Sequence, residues 1–470
     1  MILSIVRKEM LSVLRDGRLL LLACSVFAVL TGFFLASANE QQQIQQEKQR
    51  VGQTAKEQWD SQGVKNPHAA AHFGIYVFKP DSALASIDPG LRQYTGQALW
   101  LEPHKRNRVR FSPAADQGLA SRFGQLTAGF VLYALLPLLI IGLAFNAVTQ
   151  EREQGTLRML HSLGVSGTKL LLGKFTGLLF VFVVVLMPAM LVAIIILYQN
   201  FALTGDDLLR LLALNSTFLV YYAIFAALAM AASAWLKSSR QALFILLAFW
   251  LASVLVAPRL GATTAEIILP IPTATTFWNA IKQDIQQGLA SDGDHDARAA
   301  LFKAQTLKDY GVTSVEELPV GFTALNRNFN DRYSSRVHAL HFDNLSELCQ
   351  RQSRLIHIAS LLGPTIAMRS ISMTLSGMDL AHQRHFEDAA ENYRHYFIDL
   401  TDAWDGERSH GSGHNAQGHD TDWHSVKAFN YVSPLLGFAL HTAWLDLLVL
   451  LGWLMAALIL LLLSAKRLKP

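Results

Sequence analysis

Long apolar runs alternate with polar stretches along the chain. Six of them, 18–37, 126–149, 170–197, 208–235, 241–257 and 441–463, are long enough to cross about 30 Å of hydrocarbon as helices. The first resembles a signal peptide in position, yet no A-x-A-like cleavage site and polar mature start follow it, so it reads as an uncleaved span. Ahead of it, residues 1–17 place Ile2, Ile5, Val6, Met10 and Val13 at helical spacing with Arg7, Lys8, Arg15 and Asp16 interleaved, which predicts an interfacial helix. Two long polar segments, 38–125 and 258–440, separate the first span from the second and the fifth from the sixth.

Within the first insertion the run from Asn39 to Gly63 favours helix and continues the first span until Gly63 and Pro67 break it. Between Pro80 and Asp116 the density of Pro, Gly, Asp and Asn predicts loops and a short hairpin. The second insertion is helical by pattern. Thr273 or Thr275 can cap a helix stopped by Gly288, and another runs from Asp294 to Tyr310 before Gly311. A longer helix spans 326–362 up to Gly363-Pro364, and two more cover 365–376 and 378–404. Residues 405–424 break the pattern and read as an exposed loop.

Charge orients the spans. Arg7, Lys8, Arg15, Arg18, Arg152, Arg158, Lys169, Lys174, Lys237, Arg240, Lys466, Arg467 and Lys469 all fall on one side, whereas the opposite loop 198–207 carries no Lys or Arg. The positive-inside rule makes that side cytosolic, with both termini, the segment 150–169 and the tail 464–470 on it and both insertions outside. Composition agrees, with 51% hydrophobic and 16% charged residues and a mean hydropathy of +0.26. The net charge of +4 sits beside the spans and implies no nucleic-acid partner. Cys24 and Cys349, one in a span and one in an insertion, do not make a disulfide framework.

The chemistry worth weighing begins with the stretch Glu151–Lys174, EREQGTLRMLHSLGVSGTKLLLGK. Its first part, Glu151 to Leu160, predicts a stiff helix at the membrane face, with charges to meet a soluble partner and an apolar side to stay seated; an ordinary cytosolic connector is the bland alternative. Gly173-Lys174-Phe175-Thr176 is not a P-loop, since Thr168 stands where the first Gly belongs and Phe175 where the hydroxyl belongs. Of the histidines, His410, His414, His419 and His424 cluster near Asp420 and Asp422, where a solvated loop is preferred over Zn²⁺ or Cu²⁺ capture because the spacing matches no closed site. His68, His72, Glu102 and His104 form a second ligand set if the fold gathers them, and His382 with His385 a third; capping or hydrogen bonding is the simpler role for each. Neither G-x-S-x-G nor H-E-x-x-H occurs in the sequence. Among the spans, Asp446 is an acid inside an apolar run, read as a boundary residue ahead of a transport-path or subunit-contact role. Pro137 and Pro188 are expected to bend the second and third spans.

The central stretch resembles the coupling segment of type-2 ABC exporter permeases, roughly E-R/K-E-x-G-T-L, a Leu-rich turn and then Leu-x-x-G-K. The resemblance puts Glu151, Arg152, Glu153, Gly155, Thr156, Leu157, Gly173 and Lys174 on the motif and extends an ATPase-coupling role to Arg158; Gly164 replaces a common Pro, which suggests a looser turn. Residues 67–80 (PHAAAHFGIYVFKP), 88–90 (DPG), 101–105 (LEPHK) and 370–394 resemble a subfamily with a large extracytoplasmic domain of unknown function. Together these imply an all-α membrane protein of six transmembrane helices whose large, mostly helical outer domain is built from two insertions. They further imply a bacterial inner-membrane permease that pairs with a second copy or a sister permease and docks separate ATPase subunits, which hold the ATP and Mg²⁺. The chain itself is then not an enzyme. Its expected work is export, or conformational work on the outer domain; a non-transporting mechanotransmitter or scaffold for an envelope partner, and transport of a metal or metal complex, are the alternatives.

Overall fold

A computed structural model of the chain describes residues 2–15, 17–109, 127–413 and 415–468. Among the described residues six helical segments are long and apolar enough to cross a membrane: Ala23–Asp60, Ala128–Glu153, Gly167–Asn200, Gly205–Trp235, Ser239–Ile268 and Trp444–Arg467. The protein is thus a multi-pass, all-α membrane protein, and the one sheet among the described residues is a two-stranded pair.

Helix α1 (Ile2–Arg15) leads into α2 (Gly17–Asp60), whose polar second half runs on well past the apolar first. The first insertion continues with α3 (Pro67–Ala71) and with β1 (Ile75–Phe78) paired antiparallel to β2 (Ala98–Leu101), Ile75 opposite Leu101 and Phe78 opposite Ala98. The second span contains α4 (Leu136–Ala144) and ends in α5 (Thr149–Glu153); α6 (Thr156–Ser162) follows before the spans α7 (Gly167–Asn200) and α8 (Gly205–Trp235). The fifth span is α9 (Ser239–Leu251) continued into α10 (Ala257–Ile268).

Proline acts differently in different spans. Pro188 sits inside α7 without ending it. Pro137 and Pro258 instead each follow a single π turn, Val131–Leu135 and Ala252–Val256, whose wider ladder accommodates the missing N–H and ring bulk. The fifth helix therefore runs on past 257, where the sequence places the end of the span.

In the second insertion local capping sets the helix ends. Thr273 caps α11 (Ala274–Gln287) and Asp294 caps α12 (His295–Tyr310), which Gly311 closes in the left-handed region. Then come α13 (Phe322–Ile358), α14 (Thr365–Leu375), α15 (Leu380–Arg408), α16 (Asp420–Ser425), α17 (Leu436–Thr442) and the last span α18 (Trp444–Arg467). Two features depart from the sequence reading. First, 405–424 is not an exposed loop: α15 extends to Arg408, and Trp423 is fully buried, edge-on to Trp59, which in turn packs on Phe397 of the same core. The Trp59 indole N–H donates to the Trp423 carbonyl (3.1 Å) and the Trp423 indole to the Gly63 carbonyl (2.9 Å), so a distant aromatic partner supplies the burial that local pattern lacks. Second, α14 is not confined to the large insertion domain. Its Met368, Ile371 and Leu375 belong to the same apolar core as the spans α4, α7, α8 and α18.

The two insertions form one body. Trp59, Val77, Leu99 and Leu101 of the first share a core with Phe386, Phe397 and Trp423 of the second. Asp88 of the D-P-G turn accepts from Ser372 Oγ (2.5 Å) and from the Gly90 N–H (3.0 Å). Burial pushes its carboxyl above the usual range, against the pull of those hydrogen bonds.

Replacing Trp423 by Ala is expected to cost about 3–5 kcal/mol and to release residues 405–424. Limited proteolysis with trypsin should then cut after Arg408 in the variant and spare the native chain; equal resistance would show that Trp423 does not anchor this stretch.

Candidate functional site

The segment between the second and third spans is a hairpin of two short helices. Gly155 separates α5 from α6 at φ +74°, a left-handed conformation that costs glycine little, so Glu151–Leu160 is not the single stiff helix its composition predicts. Gly164 closes α6 at φ +80°, with its N–H on the His161 carbonyl (2.9 Å) and the Val165 N–H on the Leu160 carbonyl (3.1 Å). Proline, fixed near −65°, cannot adopt that geometry, and the turn with Gly164 is hydrogen-bonded rather than loose. Ser166 Oγ then caps α7. Leu157 is buried under the hairpin, and Thr156 Oγ1 donates to the Glu151 carbonyl (3.2 Å).

The three charges at the start of this hairpin are used within the chain. Lys174 of α7, its side chain 6% exposed, lies 2.9 Å from Glu151 and 3.0 Å from Glu9 of α1. Arg152 donates to the carbonyls of Ala234 (2.7 Å) and Leu236 (2.5 Å), which end α8. Glu153 accepts from the N–H (2.8 Å) and hydroxyl (3.0 Å) of Ser239, which opens α9. A cation thus meets a helix C-terminus and an anion a helix N-terminus, each favourable to the helix dipole. Ser233 reinforces the join by accepting from the N–H groups of Val148 (3.0 Å) and Thr149 (3.2 Å). Glu153, Gln154 and Gly155 are exposed at the end of α5, and α6 with the residue just past it exposes Arg158, Met159 at 58% and Leu163 at 69%.

At the other end of the bundle the large domain is joined to the same spans. Arg210 of α8 bonds Asp206 (2.6 Å), the Leu375 carbonyl at the end of α14 (3.2 Å) and the Pro434 carbonyl (2.6 Å). Tyr221 of α8 donates to the Tyr133 carbonyl (2.8 Å) and meets Thr365 of α14 at 2.9 Å; Thr365 in turn meets Ser253 at 2.7 Å. Asp446 is buried 2.9 Å from His357, at the end of α13, which makes it a contact between α18 and the large domain. The sequence places a helix over 365–376 but not its entry among the spans, because eleven residues with Arg369 among them are too short to register as a span.

The histidines separate into scattered and gathered ones. His410 meets the Pro319 carbonyl (2.8 Å), His424 the Asp420 carbonyl (2.6 Å), and the His419 N–H donates to Asp422 (2.9 Å), so these three serve separate local contacts; His414 lies outside the described residues. His382 pairs with Asp379 (2.5 Å) and His385 with Tyr431 (3.0 Å). His68, His72 and His104 do come together, whereas Glu102 is held apart by Lys105 (3.0 Å) and Asn107 (2.8 Å). Partial burial, then the neighbouring His68 and His104, hold the His72 imidazole below its ordinary pKa.

Removing the Arg152 guanidinium by Arg152→Ala takes away two charge-assisted hydrogen bonds worth about 1.5–3 kcal/mol each in such settings. Amide exchange across residues 233–240 should accelerate relative to the native protein while exchange in α13 stays unchanged; identical exchange at 233–240 would contradict the clamp.

Residues 104–281, which include the hairpin and the second to fifth spans, match the family model of the ABC-2 family transporter proteins. Residues 274–432, most of the second insertion, match a domain of unknown function, DUF3526. No curated protein matches the chain. With a helical bundle around the matched segment, the ABC-2 match supports a type-2 ABC permease whose large insertion carries the domain of unknown function.

Proposed function

We propose that this permease is the membrane subunit of a bacterial inner-membrane exporter, driven by a separate ATPase that docks on α6 and supplies ATP and Mg²⁺. The observation that carries the reading is the double attachment of the hairpin, Arg152 to the end of α8 and Glu153 to the start of α9. In this arrangement Glu151, Arg152 and Glu153 transmit, Gly155 and Thr156 set the angle between the short helices, Leu157 anchors them, and Arg158 faces the partner with Met159 and Leu163. An exposed Met and Leu beside a cation make an apolar contact with an electrostatic guide, the usual composition of a small docking surface.

The basic residues beside the spans support a cytosolic hairpin and an external large domain. A displacement of α6 then passes to α8 and α9 at the cytosolic end. At the far end Arg210, Tyr221 and Ser253 carry it to α14, which enters the bundle from the large domain. The cycle thus performs conformational work on the outer domain as part of export, and two permease copies complete the pathway. The buried position of α14 also favours a second reading, a mechanotransmitter that acts on an envelope partner without cargo. ATPase stimulation in proteoliposomes accompanied by flux supports export; stimulation without flux supports the transmitter.

Gentle purification from native membranes should bring down an ATPase identifiable by mass spectrometry. The pair Met159→Asp and Leu163→Asp is expected to abolish its co-purification while the permease keeps its yield and melting behaviour. An ATPase retained at native stoichiometry would contradict docking on α6.

A further inference from the structure

His68 lies in α3 and His72 just past its end, one helical turn on, so both imidazoles leave the helix on one face. His104 reaches the same place from the turn after β2, with its backbone in the left-handed region at φ +71°. That conformation is unfavourable for a non-glycine residue and persists only where its surroundings impose it. The turn is closed by the Lys105 N–H on the Pro103 carbonyl (2.9 Å), and Ser334 Oγ of α13 donates to the His104 carbonyl (2.8 Å).

The three rings offer ligand nitrogens that all lie within 4.8 Å of one another. Nε2 of His68 and Nε2 of His72 are 3.1 Å apart, close to the roughly 3.3 Å separating two nitrogens on a tetrahedral zinc with Zn–N bonds of about 2.0–2.1 Å. The ring centroids form a nearly regular triangle of 4.6, 5.1 and 5.1 Å. A hydrogen bond between His68 and His72 accounts for one edge of that triangle but not for the third ring.

The outer nitrogens are aimed at carboxylates. His104 Nδ1 is hydrogen-bonded to Asp331 of α13 (2.6 Å), and the buried His68 Nδ1, without a hydrogen bond, lies 3.5 Å from Asp402 of α15. At His104 the carboxylate fixes the proton on Nδ1 and leaves the Nε2 lone pair free as a ligand, the arrangement that orients histidines on metals, and Asp402 stands beside Nδ1 of His68 to do the same once the ring is held. Asp402 is itself held by Arg327 (3.0 Å), which also bonds Asp405; Asp405 accepts from Asn66 Nδ2 (2.6 Å), and Asn66 Oδ1 caps α3. The helix bearing two of the rings is thereby positioned by the same network that positions their orienting carboxylate.

We propose that His68, His72 and His104 bind one late first-row divalent cation, zinc or copper, through Nε2, with Asp331 and Asp402 as positioning residues. Nitrogen ligands on a borderline-soft ion suit this class and disfavour Mg²⁺ or Ca²⁺. Three protein ligands leave a coordination position, and the exposure of His72 and His104 opens it to water or to a donor atom of a ligand. Because the rings come from the first insertion and the carboxylates from the second, occupancy ties the two together.

The test uses the full chain in detergent, without a polyhistidine tag and stripped with a chelator, titrated with Zn²⁺ by calorimetry and with Co²⁺ by visible absorption. One zinc per chain and a tetrahedral cobalt band are expected. His72→Ala, at an exposed position, and His104→Asn, which tolerates the left-handed backbone, should each weaken zinc by about 100-fold or more, and Asp331→Asn by about 10–100-fold. The double variant His410→Ala with His424→Ala should bind as the native chain does. No zinc uptake, binding unchanged in His72→Ala, or binding lost only in the His410/His424 variant would each overturn the assignment; the cobalt band of the unaltered chain decides the matter should a variant fail to fold.

Discussion

Arg152 and Glu153 reach past their own hairpin to the end of one membrane helix and the start of the next. Adjacent residues of opposite charge thereby satisfy carbonyls at the C-terminus of α8 and donors at the N-terminus of α9, groups that any helix end leaves without intrahelical partners. Because both helix ends need those contacts, a short element of little intrinsic stability becomes part of the bundle. Lys174, set between Glu9 and Glu151, adds α1 and α7 to the same joint. Four helices thus answer to one small hairpin whose α6 face remains exposed.

The opposite end of the bundle follows a different physical rule. There the large domain sends α14 among the spans, and its Thr365 hydroxyl lies between Tyr221 and Ser253 while its last turn meets Arg210. Polar groups at that depth hold each other because nothing else is at hand to satisfy them. The hairpin end is joined by charges at helix termini, the domain end by hydroxyls and backbone carbonyls, and α8 belongs to both. An α8 with a contact at each end is what the proposed coupling would run through.

What the sequence makes legible is what is local. Thr273 with Gly288 and Asp294 with Gly311 bound their helices as capping chemistry requires, and six apolar runs become six long helices. The hairpin's place was legible from its charges and flanking spans, and Gly155 was the available sign that it is two helices rather than one. The groups that the side chains of Glu151, Arg152 and Glu153 contact lie on other elements and had no such sign. Trp423 is buried by Trp59, far away in sequence, so the glycine- and histidine-rich stretch around it looked like a loop. His68 and His72 share a helical turn and invited comparison, but only the β1–β2 pairing decides that His104 joins them and that Glu102 does not.

The account stands on the hairpin and the large domain facing opposite sides of the membrane. It is tested most directly by single cysteines at Gln154 and at Lys303, both exposed, in a chain whose Cys24 and Cys349 have been replaced. With a membrane-impermeant maleimide applied to cells whose outer membrane alone has been made leaky, the account predicts labelling at 303 and none at 154 until the inner membrane is opened. Labelling at 154 in intact inner membranes, or protection at 303, would contradict it.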